Sequence, residues 1–227
     1  MKVTPVTDRL IALTRLHFVN AYLVREDDGF TLVDTTVGGA AGAIIAAAER
    51  AGAPIRRIAL THGHGDHAGS LDALAARLPG VEVALGEADA RILAGTDPKP
   101  GKGSWPKVAT APSLALRGGE RIGSLEVVPC PGHSPGHVAF LDTRDRTLIG
   151  GDVFTSYGSL AVTTHYRTIF PLAVTGRHRR ERDLQSAREQ RGIERAQLAR
   201  RLQVALAVTG RHRREREDRP VVRGHGE

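Results

Sequence analysis

Four side chains able to ligate a metal fall between residues 62 and 67: His62, His64, Asp66 and His67, in the run Thr61-His62-Gly63-His64-Gly65-Asp66-His67. Only glycine stands between them. Zinc takes imidazole nitrogens and carboxylate oxygens into a small coordination shell, provided they converge on one point. In extended backbone, residues two apart share a face. The spacing therefore predicts His62, His64 and Asp66 on one side and His67 on the other. Gly63 and Gly65 add no bulk and let the segment curl around an ion. Four ligands facing two ways exceed what one three-ligand catalytic zinc draws from a single segment, so the pattern points to two ions completed by residues elsewhere. The competing reading is a solvated polar loop whose histidines bind nothing. It requires three His and one Asp to crowd this short window by accident.

The elements that must position the cluster can be read around it. Leu10 to Leu13, Ala21 to Val24 and Phe30 to Val33 read as strands, with Asp27-Asp28-Gly29 as a turn. Asp34 ends the third, where a turn or cap role competes with a place near the site. Gly38-Gly39 opens an alanine-rich helix over residues 40–51, closed by Gly52. Ile55 to Leu60 is a buried strand that delivers the cluster at its C-terminal end, where open α/β sheets place ligands. Ala68 to Leu78 reads as a helix with Leu71, Leu74 and Leu78 on one stripe, stopped by Pro79-Gly80. Val81 to Leu85 is a strand and Glu87 to Leu93 a short helix. Residues 95–113 form a long loop rich in Gly, Pro and Lys, a length at which loops serve as lids or functional segments. Trp105, the single tryptophan, lies in it and either closes over an apolar substrate or plugs the loop down. Leu125 to Val128, Val138 to Leu141 and Thr147 to Ile149 are strands, with Asp142-Thr143-Arg144-Asp145 as a hairpin turn. Two runs of strands with interspersed helices suit an α/β protein whose sheets pack face to face with helices outside.

Composition bounds the function. The 227 residues suffice for a sizeable core, built from Ala, Val, Leu and Ile because aromatics are only 4 %. A single cysteine excludes an intrachain disulfide, and neither a basic-then-apolar leader nor an uncharged run long enough for a membrane span is visible. The expectation is a cytoplasmic protein acting on a small molecule away from membranes, and a homodimer is compatible with it. The net charge of +7 is uneven: residues 1–171 hold 17 basic and 17 acidic side chains, whereas 172–227 hold 15 arginines against 8 acids. Interleaved Glu favours a solvated helix face there over a nucleic-acid surface. Leu172 to Arg182 recurs without change as Leu206 to Arg216. One copy is not a solenoid. The chain therefore divides into residues 1–171 and an atypical, arginine-rich helical segment, 172–227.

His62-Gly-His64-Gly-Asp66-His67 resembles the H-x-H-x-D-H signature of the metallo-β-lactamase fold superfamily. Pro131-Gly132-His133-Ser134-Pro135-Gly136-His137 resembles its second ligand motif, Gly150-Gly151-Asp152-Val153-Phe154 its bridging-aspartate motif, and Gly224-His225-Gly226 its last ligand motif. The resemblance covers residues 1–171 and implies a four-layer αββα sandwich. It implies one zinc on His62, His64 and His133, a second on Asp66, His67 and His225, and Asp152 bridging them. His212 rivals His225. His137 reads as a support for the ligands, and Cys130 as a small packing residue. The implied activity is zinc-dependent hydrolysis of a small ester-type bond (lactone, thioester or similar) by a metal-bridging hydroxide. Lactonase-like and glyoxalase-II-like members are nearer in pattern than true β-lactamases. Asp66 would orient the attacking water and shuttle its proton, and Tyr157 or Tyr166 would donate to the oxyanion. A metallo-nuclease or nucleic-acid-binding member of the same fold, an iron-dependent persulfide dioxygenase and an inactive scaffold with an incomplete metal site are the alternatives. No Gly-x-Ser-x-Gly elbow suggests a serine hydrolase.

Overall fold

The computed structural model describes residues 1–100, 104–155 and 161–162. Seven strands form one sheet in sequence order: β1 (Lys2–Pro5), β2 (Leu10–Arg15), β3 (Val19–Glu26), β4 (Gly29–Val33), β5 (Ile55–Ala59), β6 (Glu82–Gly86) and β7 (Leu114–Leu116). The first four pair antiparallel through short turns. From β4 to β7 the pairing is parallel, because helices or a long loop carry the chain back between strands. The second sheet is ordered β11-β10-β9-β8, from β8 (Arg121–Ile122), β9 (Leu125–Pro129), β10 (Val138–Asp142) and β11 (Leu148–Ile149). A short pair, β12 (Phe154–Thr155) and β13 (Ala161–Val162), follows.

Side-chain alternation divides the core into two layers. Phe30, Leu32, Ile58, Val83 and Leu85 face helices α1 (Ala41–Arg50) and α3 (Leu71–Ala75), against Ile44, Leu71 and Leu74. Val24, Val33, Ala59 and Ala84 face the second sheet, against Leu125, Val127, Val138 and Phe140. Each fully buried Leu, Ile or Phe contributes about 1.5–3 kcal/mol, so these two layers carry most of the stability. Helix, sheet and sheet are three layers of the metallo-β-lactamase-type sandwich. Residues 172–227, with both copies of the repeat, lie outside the described residues. No helix among the described residues is long and apolar enough to cross a membrane.

Two expectations change. The helix expected over Ala68 to Leu78 is split into α2 (Gly65–Ala68) and α3, with Gly69 and Ser70 between. The interruption carries hydrogen bonds: the Gly69 amide donates to Thr36 O, the Ser70 amide to Thr35 Oγ1 and Ser70 Oγ to Val37 O. A continuous helix would forfeit these ties to the segment leaving β4. The metal segment is likewise not extended throughout, because α2 begins at Gly65 with His64 as its N-cap. The expected division into opposite faces therefore fails: the His67 ring turns back to lie 4.0 Å from that of His62.

Candidate metal centre

The parallel strands β4, β5 and β6 end side by side, and each delivers part of the site. Asp34 follows β4, the His62–His67 segment follows β5, and helix α4 (Glu87–Leu93) follows β6. The second sheet contributes at the same end. The Cys130–His137 turn joins β9 to β10, and the Val138 amide donates to Thr61 O, binding β10 to the metal segment. After β11, a tight turn over Gly151–Val153 presents Asp152. Gly151 has a φ of +52°, and a Cβ there would fall 2.7 Å from the Thr61 side chain, so only glycine fits.

The donor atoms converge in two groups. His62, His64 and His133 offer ligand atoms within 4.8 Å of one another, and so do His62, Asp66 and His67. His64 Nδ1 and His133 Nε2 are 3.0 Å apart. Asp152 reaches both groups, with Oδ1 3.2 Å from His67 Nε2 and Oδ2 3.3 Å from His133 Nε2. The structure thus brings together His62, His64, Asp66, His67, His133 and Asp152. Tyr157, Tyr166, His225 and its rival His212 lie outside the described residues.

Hydrogen bonds aim the rings. Thr61 Oγ1 gives its proton to the Asp34 carboxylate, at 2.9 Å from Oδ2. It therefore accepts from His62 Nδ1 at 3.1 Å, which leaves the His62 lone pair on Nε2. That Nε2 is buried and has no hydrogen-bond partner among the described residues. Asp34 Oδ2 also takes the Nδ1 proton of His67 at 2.8 Å, turning His67 Nε2 toward Asp66 and Asp152. A carboxylate behind a ligating imidazole fixes its tautomer and raises its basicity.

The electrostatics suit a cation. Burial, then repulsion from neighbouring imidazoles, holds His62 well below the ordinary histidine value. Burial and His133 push His64 down to about 4, and burial also lowers His133. These three rings stay neutral, each with one nitrogen lone pair to give. His67 goes the other way: burial opposes its charge, but Asp152 and Asp34 outweigh burial and hold a proton on the ring. A cation beside Asp152 would take that proton's place. An orphaned buried imidazole nitrogen, three neutral rings and a carboxylate spanning two groups fit a pair of metal ions.

Other residues support the cluster. His137 Nε2 accepts from the Asp152 amide at 3.2 Å and belongs to neither donor group. Burial raises the Cys130 thiol, which lies outside both groups as well. Trp105 is 7 % exposed, lies against Gly63 and meets the His64 ring edge-on at 4.8 Å, so it plugs the loop onto the site wall. Asp89 escaped the sequence reading. Its carboxylate accepts from Gly63, Ser134 and Gly136, and burial raises it despite these bonds. One aspartate inside a short helix carries no pattern that would have singled it out.

A two-sheet α/β sandwich with clustered His and Asp at one sheet end is the architecture of a metal-dependent class. The chain belongs to the metallo-beta-lactamase superfamily, whose family model matches residues 14–197. It is 43 % identical over 177 residues to the uncharacterized protein YobT of Bacillus subtilis (strain 168), covering 74 % of this chain and 76 % of YobT. It is 36 % identical over 158 residues to a hydroxyacylglutathione hydrolase of Xanthomonas oryzae pv. oryzae (strain MAFF 311018), covering 66 % of this chain and 52 % of that protein. The chain thus spans about half the length of the hydroxyacylglutathione hydrolases it matches. Among solved structures, TTHA1623 in a di-iron-bound form superposes with a TM-score of 0.54 at 30 % identity, over 71 % of this chain and 77 % of that one.

Proposed function

We propose that the chain is a dinuclear zinc hydrolase of small acyl substrates, with a thioester as the favoured bond and a lactone next. The observation that carries this reading is the reach of Asp152 to His67 on one side and His133 on the other, at 3.2 and 3.3 Å. His62, His64 and His133 would hold one ion and Asp66, His67 and His225 the other, with Asp152 shared between them. The hydroxyacylglutathione hydrolases among the relatives favour a thioester over other acyl groups.

When bound, two divalent cations supply a water acidic enough to attack at neutral pH and a polarised acyl oxygen. The chain's own residues do the rest. Asp34 and Thr61 keep the His67 and His62 rings aimed. The Asp66 side chain is 48 % exposed beside His67, open to substrate; it accepts the proton released as water attacks the acyl carbon and passes it to the departing thiolate as the C–S bond breaks. Tyr157 or Tyr166 donates to the oxyanion. The buried rings of His62, His64 and His67 keep bulk water from the rear of the site.

The test is metal analysis of the purified chain with a panel of thioester, lactone and phosphodiester substrates. Two zinc ions per chain are expected, with thioester turnover that chelation abolishes and zinc restores. Turnover indifferent to chelation would remove the reading. A second reading keeps the ligands and replaces zinc with iron, favoured by the di-iron form of TTHA1623. The same metal analysis separates the two.

A further inference from the structure

We infer that Asp89 is the positioning residue that holds the His62, His64 and His133 group together, so that its loss weakens this group's ion and spares the Asp66 and His67 group. The inference rests on the dinuclear reading above. Asp89 is 0 % exposed. Its Oδ2 accepts from the Gly63 amide at 2.9 Å and from Ser134 Oγ at 2.6 Å, and its Oδ1 accepts from the Gly136 amide at 2.7 Å. Gly63 lies between His62 and His64, and Ser134 follows His133. One carboxylate therefore buckles two loops whose imidazoles meet 69 residues apart in sequence. A carboxylate removed from water is costly unless hydrogen-bonded, and all three donors that satisfy this one come from the ligand loops.

Packing points the same way. A Cβ on Gly86 would fall 1.8 Å from Gly136 O, and one on Gly136 would fall 2.5 Å from the Asp89 amide nitrogen. The second ligand loop is pressed onto the first turn of α4 with no room for a side chain. The other half of the centre has its own anchor. Asp34 holds His67 and Thr61 and makes no hydrogen bond to residues 133–137 among those described. Asp34 still holds His67 when Asp89 is lost, so the loss falls on the group that the two ligand loops close.

The experiment uses the whole chain with Asp89→Asn, which keeps the shape but turns one acceptor into a donor facing N–H and O–H groups. Zinc is titrated against a chromophoric chelator, and hydrogen exchange is followed in the metal-free protein. One of two zinc equivalents should weaken roughly 10- to 100-fold, the scale of losing a support behind the ligands, with the other nearly unchanged. Amides at Gly63 and Gly136 should exchange faster, with Thr61 unaffected. Adding Asp34→Asn should then weaken the surviving equivalent. Should Asp89→Asn fail to fold, Ser134→Ala removes a single donor and predicts the same selective weakening on a smaller scale. Equal weakening of both equivalents, or no change in either, overturns the inference. A wild-type chain that binds no zinc overturns the proposed function instead, and the exchange contrast still decides for or against Asp89.

Discussion

Two buried carboxylates flank the metal segment from neighbouring strands, and they support it by different means. Asp34, after β4, bonds an imidazole directly and so governs the tautomer and aim of His67. Asp89, after β6, touches no imidazole among its hydrogen bonds and acts through backbone amides and a hydroxyl. The first controls the direction of a ligand and the second the distance between two loops. Asp34 adopts a φ of +60°, a region that Asp and Asn enter more readily than most residues, and its bonds to Thr61 and His67 hold it there. The carboxylate beside the ring lies in strained backbone, and the carboxylate behind the loops lies in an ordinary helix.

The comparison can be broken in several ways. Chelation removes both halves together. It should abolish turnover and, from a thousandfold saturated site, lower stability by about 4 kcal/mol, read as a fall in Tm in the presence of a chelator. An unchanged Tm would mean that neither half holds a metal. His64→Ala attacks one half at its ligand: turnover should fall by at least about a thousandfold while the far-UV circular dichroism stays native. Near-normal rates in that variant would sink the metal mechanism. Asp34→Asn keeps the strained backbone, since Asn accepts the same φ, but loses a carboxylate oxygen behind His67. The Asp66 and His67 equivalent should weaken roughly 10- to 100-fold and the other less, through Thr61 and His62, with Gly63 and Gly136 exchange unchanged. Equal weakening of both equivalents would remove the distinction between the two carboxylates. The smallest effect is expected at Asp72, a carboxylate of similar design away from the site, which accepts from the Ala109 and Thr110 amides. Asp72→Asn should cost about 1 kcal/mol in a urea melt and leave zinc affinity alone. A changed zinc titration there would make any buttressing carboxylate equivalent to Asp89.

Local pattern revealed much of the frame. The strands containing Leu10, Ala21, Phe30 and Ile55 and the helix from Glu87 to Leu93 are present as expected, because alternation and turn residues act over a few positions. The short strands Lys2–Pro5 and Arg121–Ile122 gave no such signal, since two to four residues carry too little alternation. The split at Gly69 and Ser70 was invisible because its cause is the segment Thr35–Val37, brought against it by β4. His67 was placed on the wrong face because the period of two does not survive a helical turn that starts at Gly65.

The types of the donors and their order were determined by the sequence alone: His62, His64, Asp66 and His67 in one segment, His133 and Asp152 in others. Their chemistry belongs to the side chains themselves and needs no fold to be read. Tertiary structure decided the 3.0 Å gap between His64 and His133, the reach of Asp152 to both groups and the burial of Asp89 behind them. Those quantities depend on the side-by-side ends of three parallel strands and on a second sheet packed against the first. Residues far apart in the chain acquire a distance only when the core that holds both has formed.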